Sequence, residues 1–176
     1  MRISITGTPG TGKTTLCDFT NWEVESVMSL ARNASCVGSL DPTDGAMPVD
    51  VEKLVSVLHK SWSDVGNPIL IDGHLSHYLP VNAIVVLRCH PETLRERLVI
   101  RDYSSIKIDE NVESEFIGVI STECFEKKGI PTLEIDTSVI RIEDAFSIIE
   151  GWVADGFKPM RPEQPIDWIT IIHDGD

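Results

Sequence analysis

The sequence lacks the features that mark membrane, secreted and zinc-binding proteins. No apolar run approaches the roughly 20 residues of a transmembrane helix, and the beginning, MRISITGTPG, is strand-like where a signal peptide would have a long apolar core. The four cysteines are scattered and form no C-x-x-C pair, which argues against a zinc cluster and favours small buried side chains. These absences predict an intracellular protein without membrane contact, in the cytoplasm or, in a eukaryote, also in the nucleus.

Positive charge is also scarce. The 176 residues include 15 lysines and arginines against 28 aspartates and glutamates, a net charge of −13. Because nucleic-acid affinity comes largely from cations that contact phosphates, this balance argues against strong direct nucleic-acid binding. The acidity is compatible with a basic protein partner, and equally with solubility alone. Hydrophobic residues make up 41% of the chain, enough for one domain with a sizeable core.

Short apolar runs alternate with helical patterns along the chain, and this order predicts a parallel sheet covered by helices on both faces. Strands are predicted at 2–6, 67–72, 82–88 and 130–138, with a weak candidate at 34–40. Helices are predicted at 13–19, 21–33, 49–62, 90–103, 109–129 and 141–156, the second capped by Asn21 and the third by Asp50. Residues 41–48 predict a loop, and the tail after residue 156 is expected to pack back on the domain.

The stretch GTPGTGKTT, residues 7–15, matches the pattern G-x-x-x-x-G-K-[ST] between a predicted strand and a predicted helix. Gly10 and Gly12 allow a tight loop whose N–H groups face phosphate oxygens, and the helix N-terminus adds partial positive charge. Lys13 supplies a charge for the β- and γ-phosphates, and the Thr14 hydroxyl is placed to bind Mg²⁺. The pattern predicts binding of ATP and Mg²⁺; the alternative is a chance glycine-rich loop.

The stretch LIDGHLSHYLP, residues 70–80, puts an aspartate and two histidines directly after a predicted strand. Asp72 stands where an acid would hold Mg²⁺ through water opposite Thr14, although it could instead cap the turn that follows. His74 and His77 form an H-x-x-H pair, but no further metal-ligating residues accompany them. His74 is the better candidate to orient a water or an acceptor hydroxyl, whereas His77 is expected either to cap a turn or to pack in the core.

A basic stretch, LRERLVIRDY, supplies candidate arginines. Arg97 and Arg101 lie one helical turn apart on one face, and arginine suits the neutralisation of charge on a transferred phosphoryl group. Alternatively, these arginines lie on a solvated helix face and pair with glutamates of the same helix. This interpretation is favoured for Arg95. Arg101, at the start of a polar stretch, is predicted to lie in a lid.

These motifs together resemble the small atypical adenylate kinases of archaea and eukaryotes that also assist maturation of the small ribosomal subunit. The stretches that carry the resemblance are ITGTPGTGKTTL, IDGHLSHYLP, VVLRCHPETLRERLVIRDY and KIDENVESE. The resemblance implies a P-loop NTPase fold of the nucleoside-monophosphate-kinase type, with a five-stranded parallel sheet in a single domain over 1–176. It also implies a monophosphate-binding arm near 32–60 and a short lid near 100–110.

The resemblance also assigns roles to residues. Asp72 and His74 would be the Walker B-like pair, and Arg101 would touch ATP from the lid, where the family's usual R-G-Y is here Arg101-Asp102-Tyr103. Residues that would contact ATP through the loop are Gly10, Gly12, Lys13, Thr14 and Thr15. Typical monophosphate kinases clamp the acceptor phosphate with arginines, whereas residues 33–52 contain no arginine.

The function implied by this resemblance is the conversion of ATP and AMP to two ADP, with ATPase activity and a role in small-subunit rRNA maturation. One alternative is an ATP-dependent chaperone or switch, with little kinase turnover, that releases a basic small-subunit ribosomal protein. A second alternative is a kinase for a small metabolite on the same fold.

Overall fold

A computed structural model describes residues 1–40, 47–63 and 65–173 of the chain. Five parallel strands form one sheet in the order β2-β3-β1-β4-β5. Their bounds are β1 Arg2–Thr6, β2 Glu23–Ser26, β3 Ile69–Asp72, β4 Ala83–Arg88 and β5 Thr132–Asp136. Because β1 is the central strand, the loop that follows it opens in the middle of the sheet's carboxyl edge.

Helices cover both faces of the sheet, which confirms the predicted architecture. Their bounds are α1 Lys13–Phe19, α2 Val27–Asn33, α3 Val51–Ser61, α4 Pro91–Ile100, α5 Ser105–Phe116, α6 Val119–Glu126, α7 Ile142–Ala154 and α8 Trp168–His173. On one face, Ile5 packs in a core with Leu16 of α1 and Ile149 of α7. On the other face, Ile71 and Leu54 belong to a core that α2, α3 and α6 complete. The four cysteines are buried and unpaired, as expected.

The predicted helix over 21–33 is wrong in its first half. Residues Glu23–Ser26 form the edge strand β2, paired with β3, and the helix begins at Val27. Its cap is Ser26, whose hydroxyl accepts a hydrogen bond from the backbone N–H of Ser29 at 3.1 Å, and not Asn21. The segment is short and largely polar, so its sequence shows no strand pattern, and pairing with β3 decides its conformation.

The fifth strand is therefore β2, and the weak candidate at 34–40 is wrong. In the described part of the chain that segment contributes an antiparallel bridge between Val37 and Val49. The backbone of Gly38 donates to Pro48 at 2.8 Å, which holds the two ends of the connection together. Most of the loop predicted at 41–48 lies outside the described residues, at 41–46. Asp50 caps α3 as predicted.

The predicted helix over 109–129 is two helices, α5 and α6. The break is at Gly118, which adopts φ 71°, a left-handed conformation that favours glycine. The helix α5 also begins earlier than predicted, at Ser105, with Ser104 as its cap. Apolar spacing continues across the break, which is why the pattern predicted one helix.

The C-terminal segment, residues 157–173, packs on the domain as expected. Trp168, in the short helix α8, is only 3% exposed. Among the residues described, none of the helices combines the length and apolarity needed to cross a membrane.

Candidate active site

The loop between β1 and α1 is shaped by its glycines. Gly10 and Gly12 adopt φ 96° and 99°, in the left-handed region. A Cβ on Gly10 would lie 2.7 Å from Leu94 Cδ1, so space as well as conformation requires glycine there. Gly12 offers no side chain to cap α1, which leaves the first N–H groups of the helix available to an anion.

Lys13, the first residue of α1, is held by the loop itself. Its ammonium group donates to the carbonyl oxygens of Gly7 at 2.7 Å and Thr8 at 2.9 Å. Burial lowers the pKa of Lys13 to about 8, against the opposing charges of Asp72 and Glu115. The lysine therefore stays mainly protonated at neutral pH and lies where phosphate oxygens could replace the two carbonyls.

Asp72 lies beside the loop because β3 pairs with β1 in parallel, with Asp72 opposite Ile5. The Thr14 hydroxyl donates to Asp72 Oδ2 at 3.4 Å, so the structure brings together the two residues predicted to bind Mg²⁺. Burial raises the pKa of Asp72, although the charge of Lys13 opposes this. An adjacent hydroxyl and carboxylate are oxygen donors that suit Mg²⁺, so these residues fit the ion.

The two histidines of the H-x-x-H pair have opposite environments. His77 is 1% exposed, with Nδ1 hydrogen-bonded to Thr6 Oγ1 at 2.9 Å and Nε2 to Glu123 Oε2 at 3.1 Å. Both ring nitrogens are thus occupied, and His77 is a structural link between β1 and α6. His74 stands at the rim of the site, where partial desolvation, and then the charge of Lys13, lower its pKa. A neutral imidazole there can accept a proton at neutral pH.

Three clefts adjoin one another along this edge of the sheet, and the central and outer ones contain residues of the loop. The central cleft, of about 340 Å³, is lined by every predicted site residue except Thr15 and Arg97: Gly10, Gly12, Lys13, Thr14, Asp72, His74 and Arg101. Thr15 and Arg97 line the outer cleft, of about 500 Å³, between the end of α4 and the connection from β5 to α7. The arm cleft, of about 440 Å³, lies between α2, residues 47–49 and the turn that follows β3. In the described residues, no group of three or more His, Cys, Asp or Glu side chains is arranged to hold a metal ion.

The three arginines of this stretch make different contacts. Arg97 donates to Thr137 Oγ1 at 3.0 Å and to the Thr137 carbonyl at 2.6 Å. Arg101 lines both the central and the outer cleft. Arg95 is exposed and pairs with Asp109 of α5 at 2.7 Å, not with the glutamates of its own helix. Arg97 and Arg101 therefore both line the outer cleft, and of the two Arg101 also lines the central cleft.

The connection after β5 contributes residues that the sequence analysis missed. The Thr137 hydroxyl donates to the carbonyl of Thr11 at 2.8 Å, which ties this connection to the phosphate loop. Ser138 and Val139 line the outer cleft. Their position could have predicted this, because they follow the carboxyl end of a predicted parallel strand, on the same edge of the sheet as the loop.

Sequence comparison with known proteins shows the family of this chain. Residues 3–118 match the family described as an AAA domain. An archaeal protein described as "Putative adenylate kinase", from Archaeoglobus fulgidus, is 34% identical over 99% of this chain and 95% of its own. A protein with the same description, from Thermococcus onnurineus, is 39% identical over 90% of this chain and 87% of its own. The chain belongs to this adenylate-kinase-like P-loop family.

Solved structures support the same fold. The YorR protein of Bacillus subtilis, in complex with phosphorylated GDP, superposes with a TM-score of 0.57 at 16% identity, over 88% of this chain and 96% of the other. Deoxyadenosine kinase from M. mycoides gives a TM-score of 0.51 at 13% identity, over 88% and 99%. At these identities the likeness shows an α/β P-loop NTPase fold. Family membership makes the chain a nucleotide-kinase-like protein and implies nucleotide binding, typically with Mg²⁺.

Proposed function

We propose that this chain is an adenylate kinase that transfers the γ-phosphoryl group of ATP to AMP and so forms two ADP. The observation that carries the proposal is the row of three adjoining clefts, with the central cleft at the phosphate loop between the outer cleft and the arm cleft. The central cleft shares Gly10, Gly12 and Arg101 with the outer cleft. It shares Asp72 and His74 with the arm cleft. A donor nucleotide in the outer cleft and an acceptor in the arm cleft would bring their phosphates together at the loop. The description of the archaeal relatives supports the same activity.

The phosphates of ATP would be bound mainly by the loop. Lys13 would exchange its hydrogen bonds to the Gly7 and Thr8 carbonyls for bonds to the β- and γ-phosphates, with little movement of its side chain. The open N–H groups at the start of α1, including that of Thr15, would bind the remaining oxygens. Arg101, in the lid proposed at 100–110, would neutralise charge on the transferred group.

Thr14 and Asp72 would hold Mg²⁺, Asp72 through a water molecule. The ion, when bound, would neutralise and align the β- and γ-phosphates of ATP. Arg97 has two of its N–H groups on Thr137, so we assign it to the connection that lines the outer cleft. Its remaining N–H groups could still reach a bound nucleotide.

In the transfer step, the bond between the γ-phosphorus and the β–γ bridging oxygen breaks, and a phosphate oxygen of AMP forms the new bond. No proton must move when the acceptor is an ionised phosphate. His74, between the central and arm clefts, would orient the acceptor, and a neutral ring could also accept a proton from water.

A second function, ATP hydrolysis, is favoured by the composition of the arm, proposed at 32–60. Residues 33–52 contain no lysine or arginine, and no cationic side chain is among the described residues that line the arm cleft. The phosphate of AMP would lack the arginine clamp that holds it in typical monophosphate kinases. Water could then compete as the acceptor, and the protein would act as an ATPase switch.

The test is a comparison of acceptors. The protein is incubated with Mg-ATP alone and with AMP, other nucleoside monophosphates or a panel of phosphorylatable metabolites, and ADP formation is measured with Lys13→Ala as the blank. We expect ADP formation with AMP to exceed acceptor-free hydrolysis by at least about tenfold. Equal rates with and without AMP would leave the ATPase switch as the better proposal. Transfer to a metabolite but not to AMP would overturn both.

We further propose that the protein assists small-subunit maturation by binding a basic ribosomal protein. The net charge of −13 supports this proposal, because opposite charges speed encounter. A pull-down with purified small-subunit ribosomal proteins, with and without ATP and over a series of salt concentrations, tests it. Binding of a basic protein that ATP weakens is expected. Retention that is equal for basic and acidic proteins would contradict it.

A further inference from the structure

A buried carboxylate connects the phosphate loop to the C-terminal segment. Glu115, at the end of α5, is 2% exposed and accepts hydrogen bonds on both oxygens. Oε2 accepts from the Thr8 hydroxyl of the phosphate loop at 2.6 Å. Oε1 accepts from the Trp168 indole N–H at 3.0 Å and from Arg88 Nε at 2.8 Å. The backbone N–H of Cys89 adds a further bond to Oε1 at 3.1 Å. One side chain thus joins three parts of the chain that are distant in sequence.

The C-terminal segment is held to this carboxylate from several directions. Besides the Trp168 bond, Arg88 donates to the carbonyl of Ile166 at 3.0 Å, and the N–H of Ile166 donates to Glu134 Oε2 at 2.8 Å. Arg88 in turn donates to Glu134 Oε1 at 2.8 Å. The segment therefore orders both the arginine and the carboxylate that it covers, since removal of residues 166–168 would leave several of their partners missing.

In the phosphate loop, Thr8 is bonded both to Glu115 and to Lys13. Its carbonyl accepts from Lys13 Nζ at 2.9 Å, and also from the N–H and hydroxyl of Thr11, at 3.2 and 2.9 Å. The side chain of Thr8 is fixed by Glu115, so the orientation of this peptide depends on the carboxylate. A buried ion pair is in general no more stabilising than an apolar cluster of the same size, so its value here lies in the geometry that it imposes.

We propose that Glu115 is a positioning residue for the phosphate loop, and that Trp168 holds Glu115 in that role. The inference rests on the proposed function in one respect, that the loop binds the phosphates of ATP. The C-terminal segment then contributes to nucleotide affinity although, among the described residues, it lines none of the three clefts. It acts through Glu115 on Thr8, and through Thr8 on the shape of the loop, because the Thr8 carbonyl also accepts from Thr11 and can keep those bonds when Lys13 turns to the phosphates.

The first test changes Thr8, the phosphate-loop residue that donates to Glu115. Thr8→Val removes the hydroxyl and keeps the shape, whereas Thr8→Ser keeps the hydroxyl. We expect Thr8→Val to raise the Kd for Mg-ATP about tenfold, as befits one charge-assisted hydrogen bond, and Thr8→Ser to stay within about twofold of the unchanged protein. Calorimetry at a temperature where melting curves show all variants folded gives the measurement. Should Thr8→Val melt below that temperature, Thr8→Ala against Thr8→Ser makes the same comparison.

The second test changes Trp168, in the C-terminal segment, and uses another tryptophan of the chain as a matched control. Trp168→Phe removes the indole N–H that Glu115 accepts. Trp152, 5% exposed, also donates its indole N–H into the C-terminal segment, but to the carbonyl of Pro159 at 2.9 Å and not to Glu115. We expect Trp168→Phe to raise the Kd for Mg-ATP about threefold, and Trp152→Phe to lower the melting temperature without that change in Kd.

A double-mutant cycle completes the design. Thr8 and Trp168 bond to different oxygens of Glu115, so their effects on Kd should be non-additive only if the carboxylate connects them. Equal Kd values for Thr8→Val and Thr8→Ser, or equal effects of Trp168→Phe and Trp152→Phe, would overturn the inference while the proposed function stands. An unchanged protein that does not bind Mg-ATP would overturn both.

Discussion

The donor and acceptor sides of the proposed active site are built in different ways. On the donor side, Lys13 and Thr14 converge with the glycine loop on one cleft, and Arg101 adds a second cation. On the acceptor side, side chains such as Met28 and Met47 line the arm cleft, and residues 33–52 carry no lysine or arginine. This difference explains why the donor side could be predicted from the sequence and the acceptor side could not. A loop that binds phosphates through its N–H groups needs a fixed spacing of glycines, whereas acceptor recognition by separated side chains leaves no short pattern.

The largest effect is expected on the donor side. Lys13→Ala removes the main fixed charge on the β- and γ-phosphates, so phosphoryl transfer should fall about a thousandfold or more. The measurement is ADP formation with saturating AMP, with the melting temperature as the control for folding. Turnover close to that of the unchanged protein would refute the assignment of the loop.

His74 lies on the border between the two sides. We expect His74→Ala to lower turnover about a hundredfold but to change the Kd for ATP less than about threefold, because His74 lies at the border with the proposed acceptor cleft. His77→Gln is the matched control from the same turn. It should lower the melting temperature through the lost bonds to Thr6 and Glu123, and spare turnover. Equal losses of turnover and ATP affinity in His74→Ala would indicate a structural histidine.

The donor side should also depend on pH through Lys13, whose pKa in the free protein is about 8. Bound phosphates would hold the lysine protonated, so binding above pH 8 must take up a proton that the free protein has lost. The Kd for ATP should therefore be constant below pH 8 and rise up to about tenfold per pH unit above it. Isothermal titration from pH 7 to about 9.5 measures the slope. The same slope in Lys13→Ala would contradict its assignment to Lys13.

The acceptor side can be changed by adding the cation that it lacks. Met47→Arg places a guanidinium at the arm cleft and should lower the KM for AMP about fivefold, with the KM for ATP unchanged. Met160→Arg, at a half-exposed methionine in the C-terminal segment, is the control for added charge. An unchanged KM for AMP in Met47→Arg would mean that the acceptor phosphate lies elsewhere.

The smallest effect concerns the lid proposed at 100–110. Asp102 adopts φ 58°, a left-handed conformation that glycine takes more easily. Asp102→Gly should raise the free energy of unfolding by less than about 1 kcal/mol, because the greater freedom of glycine in the unfolded chain offsets part of the relieved strain. Asp102→Asn, which removes the charge but not the side chain, should lower the KM for ATP about twofold through weaker repulsion of the phosphates. Destabilisation by Asp102→Gly would show that the side chain supports the lid.

Much of the fold was predictable because local patterns agree with it. The strands β3 and β4 are short apolar runs, and β1 and β5 alternate polar with apolar residues. The glycine loop stands between β1 and α1. The errors occur where local pattern and tertiary contact disagree. Residues 23–26 are too polar to predict a strand and become one by pairing with β3. The break at Gly118 interrupts an apolar pattern that continues across it.

The sequence by itself determined the phosphate loop, the strands β1, β3, β4 and β5, and the place of Asp72 at a strand end, because each depends on residues close together in the chain. The sequence favoured His74 for the site, but tertiary structure alone decided that His77 is bonded to Thr6 and Glu123. It also decided that Glu115 joins Thr8 to Trp168, because these residues are separated by more than fifty positions along the chain on either side. Such contacts depend on packing around a shared core, and spacing along the chain does not encode them.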